Sequence, residues 1–170
     1  MDNMKNIEEV KKMLIGEESV DFQKAISDFD VNQIDKFGNS ILHYIIKNNN
    51  VIKVDFSTAI DILLDNGFDI DIMSDLGPLK GSALHLAVAS NKIDIVKYLI
   101  EKGADINLKD NYGKTALLIA ILRYRNNSYG DVISYLIRNG ADCYEKTPTG
   151  ESILEFARLS ENTDVMKYFQ

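Results

Sequence analysis

The sequence predicts an all-α protein of about five helix pairs stacked side by side, joined by short hairpin loops and holding little true strand. Three observations predict it. A segment marked by a hydroxyl residue recurs four times: Gly38-Asn39-Ser40-Ile41-Leu42-His43, Gly81-Ser82-Ala83-Leu84-His85, Gly113-Lys114-Thr115-Ala116-Leu117-Leu118 and Gly150-Glu151-Ser152-Ile153-Leu154-Glu155. A second segment precedes each of these. It reads Gly67-Phe68-Asp69-Ile70-Asp71, Gly103-Ala104-Asp105-Ile106-Asn107 and Gly140-Ala141-Asp142-Cys143, with a degenerate copy at Phe29-Asp30-Val31-Asn32. Before each of those glycines, apolar residues recur at spacings of three and four: Ile60, Leu63, Leu64; Ile95, Val96, Leu99, Ile100; Val132, Ile133, Leu136, Ile137. That spacing is one buried helix face, and the glycine behind it is a C-terminal stop.

The register then places each element in order. Ser40, Ser82, Thr115 and Ser152 stand 42 (82−40), 33 (115−82) and 37 (152−115) residues apart. Residues 5–15 and 21–27 form a first helix pair with a worn pattern, and residues 152–159 and 163–169 form the last. Terminal pairs are atypical because one face of each meets water. The expected division is one domain over 1–170, with an N-terminal capping pair at 1–29, central repeats at 30–142 and a C-terminal capping pair at 143–170. No helix pair buries its apolar face alone, so nearest-neighbour packing carries stability. Leu84, Ala87, Leu99 and Ile100 are expected among the costliest positions.

This pattern resembles the ankyrin repeat, whose period is near 33 and whose core reads T-P-L-H-x-A. The match runs over about residues 20–170 and is nearest between Gly81 and Lys114. The motif proline is replaced by Ile41, Ala83, Ala116 and Ile153, and its His by Leu118 and Glu155 in the last two copies. The spacings of 42 and 37 imply insertions. The resemblance implies an ankyrin-type solenoid that binds proteins and catalyses nothing.

Composition narrows the partners. The chain has 170 residues, 45% of them hydrophobic and 26% charged, with two prolines and no Trp, as in an ordinary globular domain. A net charge of −7 argues against a nucleic-acid partner. It fits a basic protein partner and equally a surface kept soluble by charge. The lone Cys143 makes no internal disulfide, which suits a reducing compartment. No signal-peptide core opens the chain and no run approaches the roughly 20 apolar residues that span a bilayer. The expected location is the cytoplasm, with no membrane partner. Abundant Ile, Lys, Asn and Asp are common where coding DNA is AT-rich, as in low-GC bacteria.

Several residues imitate sites. Gly113-Lys114-Thr115 resembles the end of a phosphate-binding loop, but Leu108 stands where that motif needs its first glycine. His43 and His85 share one repeat position, and the resemblance implies that each bonds the hydroxyl of its own motif, Ser40 and Ser82, rather than a metal. Cys143 falls in the slot of Val31, Ile70 and Ile106, where a thiol acts as a small hydrophobe. Asn126-Asn127-Ser128 matches a glycosylation sequon that is inert without secretion. Asp69, Asp105 and Asp142 repeat one loop slot suited to structural hydrogen bonds. No cofactor and no catalytic or metal-binding set is expected.

The resemblance places partner contacts at hairpin tips and inner helices. Carried over by register, the tip pairs are Lys36 and Phe37, Asp75 and Leu76, Asn111 and Tyr112, and Pro148 and Thr149. Ile34, Met73, Lys109 and Lys146 precede the tips, and Asn39, Lys114 and Glu151 follow them. Phe37, Leu76 and Tyr112 occupy one tip slot in three repeats, a row of large groups suited to anchoring an interface. Insertions at 48–55, 77–80 and 123–129 are a second candidate. Arg123, Tyr124, Arg125 and Tyr129 carry hot-spot chemistry. The expected protein is a monomer that masks a protein partner. Its small acidic chain resembles the bacterial immunity proteins that inhibit toxins, with a basic toxin domain as partner; the alternative is an effector or scaffold adaptor.

Overall fold

A computed structural model describes residues 5–15, 22–74, 80–125, 127–160 and 163–170. The backbone packs as two compact units, 1–83 and 84–170. The first holds α1 (Ile7–Leu14), α2 (Phe22–Ile26), α3 (Ile41–Lys47) and α4 (Phe56–Asp65). Beginning at the boundary, the second holds α5 (Ala83–Ala89), α6 (Ile93–Glu101), α7 (Ala116–Arg123), α8 (Gly130–Arg138) and α9 (Ile153–Leu159), then a 3-10 helix over Thr163–Phe169. The expected all-helical fold is what forms: among the described residues, extended pairing is limited to isolated bridges such as Ile34 with Ser40, Lys109 with Thr115 and Lys146 with Ser152. Each of these closes a hairpin base.

Local chemistry starts and stops the helices. Asn6 caps α1 through a reciprocal box with Glu9. Ser40, Thr115 and Ser152 accept the backbone N–H three residues on and so cap α3, α7 and α9. The motif hydroxyl is therefore a helix cap. At the other end, Phe68 N–H donates to Leu63 O and Gly67 N–H to Leu64 O; the same pair of bonds recurs at Gly103 and Gly140. These are Schellman closures, and their glycines sit at φ +81, +94 and +93°, where a Cβ is unfavourable.

In the first unit α1 packs on α2 and α3, and α4 lies on α2 and α3. Val10, Leu14, Ala25, Ile41, Ile45, Ala59 and Leu63 fill the interior. The second unit repeats this with α6, α7 and α9 around α8 and its neighbours, over Val96, Leu99, Leu117, Ile133, Leu136 and Ala157. Leu84, Ala87 and Leu99 are buried, but Ile100 is only half-buried and carries less than its spacing predicts. The closing segment 163–169 is a 3-10 helix rather than a second α-helix of a pair. It packs on α8 and α9. Val165 turns inward, and the Tyr168 hydroxyl lies where a Cβ on Gly130 would stand, 2.1 Å from it. Only glycine allows that approach.

Candidate protein-binding surface

Two hairpin tips are built by one rule. In the first unit Asp35 N–H donates to Asn39 O (2.9 Å) and Gly38 N–H to Asp35 O (2.8 Å). The Asp35 carboxylate also accepts the N–H groups of Phe37 and Asn39, both at 2.8 Å. In the second unit Asp110 N–H donates to Lys114 O and Gly113 N–H to Asp110 O, both at 2.8 Å, and the carboxylate accepts from Tyr112 and Lys114 at 2.8 Å. A third hairpin keeps the backbone bonds (Thr147 N–H to Glu151 O, Gly150 N–H to Thr147 O) with Thr147 in the Asp position. The inward carboxylate fixes the turn, so the residue two places on points outward on a rigid backbone.

That residue is Phe37 in one unit and Tyr112 in the other, 57% and 45% exposed. A lysine covers each ring: Lys36 Nζ lies 5.1 Å from the Phe37 centroid and Lys114 Nζ 5.5 Å from that of Tyr112. Ile34, Lys36, Lys109, Asn111 and Lys146 are exposed too, while Asn39, Met73 and Lys114 are half-buried. Lys109 pairs with Glu145 at 2.8 Å. Asp75 and Leu76 lie outside the described residues.

The histidines support the tips. Since a carbonyl only accepts, His43 Nε2 donates to Gly81 O (2.9 Å), and Nδ1 then accepts the Ser40 hydroxyl (2.8 Å). His85 Nε2 donates to Leu108 O and Lys114 O at 3.0 and 3.2 Å, tying α5 to the hairpin 110–114. Burial holds the His85 imidazole below its ordinary pKa, against the pull of the nearby Asp110 carboxylate. Behind the hairpins, Asn32 donates to Gly67 O and accepts Asp69 N–H, and Asn107 does the same with Gly140 O and Asp142 N–H. Asp30, Asp69, Asp105 and Asp142 each accept the N–H two residues on. Those carboxylates are loop fasteners, as their repetition predicts.

The insertion 123–129 departs from expectation. Tyr124 is 1% exposed and is not a surface anchor. Its hydroxyl donates to Asn127 Oδ1 (2.9 Å), its ring meets Tyr168 edge-on at 5.9 Å, and Lys167 Nζ donates to the same Asn127 oxygen at 2.6 Å. Tyr129 is half-buried, with its hydroxyl on Ala89 O at 2.8 Å. Arg123 and Arg125 remain exposed, and Arg125 Nη1 donates to Tyr124 O at 2.7 Å. The insertion thus serves as a seat for the closing 3-10 helix.

Other features lay beyond the motif register. Lys11 and Asp35 form a buried ion pair at 2.5 Å, which Glu8 joins at 3.1 Å. Burial opposes the Lys11 charge, yet its bonds to Asp35 and Glu8 hold the ammonium above its ordinary range; burial likewise opposes the Asp35 charge, and Lys11 with the two backbone donors holds that carboxyl below its ordinary range. The pair floors a cleft of about 360 Å³ rimmed by Ile15, Phe37 and Tyr44. Among the described residues, the hairpin tips are not where the exposed negative charge lies. Exposed carboxylates stand on the second helix of each pair and the loop after it (Asp65, Asp69, Asp94, Glu101, Asp105, Asp131, Asp142), whereas the hairpins display Lys36, Lys109 and Lys146. Tyr144 is 73% exposed in the last loop.

No group of three or more His, Cys, Asp or Glu side chains among the described residues is placed to hold a metal ion. Cys143 is half-buried, and burial, then the Asp142 charge, pushes its thiol up, away from a nucleophilic thiolate. No helix among the described residues is long and apolar enough to cross a membrane.

Comparison with known proteins agrees with this geometry. The family model for ankyrin repeats (3 copies) matches residues 3–110 and 52–147. An ankyrin repeat protein of Fowlpox virus is 35% identical over 89 residues, covering 52% of this chain and 18% of its own. The nuclear factor NF-kappa-B p105 subunit of Gallus gallus is 33% identical over 94 residues, 54% of this chain and 9% of its own. The chain therefore spans less than a fifth of either relative. The crystal structure of the ankyrin repeat domain of Bcl-3 superposes with a TM-score of 0.67 at 24% identity, over 82% of this chain and 55% of that one, and shares the fold.

Proposed function

The chain belongs to the ankyrin-repeat family, and from that premise we propose that it binds a protein partner through its hairpin tips and acts by covering that partner's surface. Ankyrin repeats are protein-interaction modules, so the class of function follows from membership; the contact residues and the masking action are our reading. One observation carries it. Phe37 and Tyr112 stand exposed on turns rigidly held by Asp35 and Asp110. A large ring fixed in water before binding loses little further freedom on binding, and such groups dominate interface energetics.

An immunity-type role, in which the masked surface belongs to a toxin domain, is the narrower form of this proposal. The acidic total supports it, since net charge of opposite sign draws a basic partner toward the chain. The viral and eukaryotic relatives do not point to a toxin partner.

The test begins with the tagged chain, the protein it retains, and a Kd for that pair. Phe37→Ala and Tyr112→Ala are then measured. A loss of about 2 kcal/mol, roughly thirtyfold, at one or both supports the tips as anchors. Losses below about 1 kcal/mol at both reject them. A retained partner whose activity is unchanged when saturated rejects masking.

A further inference from the structure

The cleft of the first unit has a character of its own. It lies between α1 and the hairpin 35–39, with a volume of about 360 Å³. That is the low end for a ligand site and suits one or two apolar side chains. Ile15 and Phe37, both more than half exposed, form its rim with the half-buried Tyr44. Its floor is the Lys11–Asp35 pair, which locks α1 to the hairpin and leaves both faces of the cleft preformed.

The charges at its mouth are the informative part. The Glu8 carboxylate is bound to Lys11 and the Asp35 carboxylate to Lys11 and two backbone donors. Lys12 lines the cleft and Lys36 stands beside the Phe37 ring, both exposed. No ion pair with a described carboxylate engages either. The trio carries one net negative charge, so with Lys12 and Lys36 the described charged groups at the mouth come to a net +1. This sign is opposite to that of the chain as a whole. Incoming lysine or arginine would meet like charge on two sides, whereas carboxylates flanking an apolar side chain would meet a partner on each.

We propose that this cleft takes a short apolar segment flanked by carboxylates, supplied by the protein partner. The inference rests on the tip-binding reading above and gives one contact of that surface its chemistry.

Three synthetic hexapeptides test it against the full isotope-labelled chain, with backbone amide shifts as the readout. They are Asp-Glu-Leu-Phe-Glu-Asp, its basic counterpart Lys-Arg-Leu-Phe-Arg-Lys, and Asp-Glu-Gly-Ser-Glu-Asp, which keeps the acids and lacks the apolar pair. The expected result is saturable shifts at Phe37, Asn39 and Tyr44 with the first peptide alone. Phe37→Ala and the exposed double charge reversal Lys12→Glu/Lys36→Glu should each weaken it about tenfold, and Tyr112→Ala should leave it unchanged. The amide spectrum away from the cleft reports that each variant stays folded. Equal binding of the basic peptide, shifts centred elsewhere, an unaffected double reversal, or no saturable shift at millimolar peptide each overturn the proposal. None of those outcomes touches the tip-binding reading, which fails only on the partner measurements with Phe37→Ala and Tyr112→Ala.

Discussion

The hairpin 35–39 of the first unit and the hairpin 110–114 of the second share every backbone bond and the same carboxylate cap, but differ in what lies beneath. Under the first, Asp35 meets the buried Lys11 ammonium. Near the second, Asp110 lies by the buried His85, whose ring also donates to Lys114 O of that hairpin and to Leu108 O just before it. One turn has a full charge for its neighbour and the other an imidazole that burial keeps neutral. The lesson is that the repeat fixes the turn and leaves open how the turn is tied to the body. Stability and pH response should therefore differ between two tips of the same shape.

The largest expected effect breaks the first tie. Lys11→Met leaves the Asp35 carboxylate buried without its cation. It should cost about 3 kcal/mol in urea unfolding, the lower end for an orphaned buried charge, because the pair floors an open cleft. Adding Asp35→Asn removes that charge and keeps an oxygen for the Phe37 and Asn39 donors. It should recover most of the loss. A double variant no more stable than Lys11→Met would show that the alkyl stem of Lys11, rather than its charge, holds α1.

Asp110→Ala comes next. It strips an acceptor from two backbone N–H groups, and caps of this kind are worth about 1–2 kcal/mol. Asp110→Asn should lose less than half as much. A substantial loss for the asparagine variant would mean that the Asp110 charge is needed, and the two hairpins would then be more alike than their neighbours suggest.

How much of this was legible in sequence follows from the range of each interaction. The hydroxyl caps, the Schellman glycines and the Asp30, Asp69, Asp105 and Asp142 turns are settled within a few residues, so the repeat register finds them. Ser40 with His43 is also local. The Lys11–Asp35 pair joins residues 24 apart, and nothing in the motif marks Lys11 from its neighbour Lys12. Only the helical phase, with Val10 and Leu14 buried, decides which lysine turns inward. Tyr124 misled for a related reason. Aromatic and basic residues in an insertion read as a display surface until Lys167 and Tyr168, some forty residues on, are seen to close over them. Gly130 is a clue, because its missing Cβ makes room for the Tyr168 hydroxyl.

Titration separates the tips without any substitution. The folded-state pKa of His85 lies below its ordinary value of 6.5. As pH falls, the unfolded chain takes up that proton first. The stability His85 lends is thus complete above about 6.5 and is lost as pH drops from there through its lowered folded value. Asp35 is lowered and Lys11 raised, so their contribution persists across that window and fails only in stronger acid or stronger base. Urea midpoints compared at about pH 7.5 and about pH 5.5 should fall in the acid for the parent chain, and less for His85→Gln. An equal fall in both would assign the acid response elsewhere.

The smallest expected effect bears most directly on function. Phe37→Ala and Tyr112→Ala should each change folding stability by no more than about 0.5 kcal/mol, as substitutions at exposed positions do. Each ring lies under a lysine ammonium, exposed for Lys36 and half-buried for Lys114, an interaction worth about 0.5–1 kcal/mol near the surface, and removing an exposed ring also removes apolar surface from water. The two variants should match, because the turns beneath them are the same. A loss above about 1 kcal/mol at Phe37 alone would make that ring part of the wall between α1 and its hairpin, a structural group that faces the cleft. Matched, near-zero losses would leave binding as the one process in which either ring has a large effect, and a residue neutral to folding yet costly to association is what an anchor held ready in water must be.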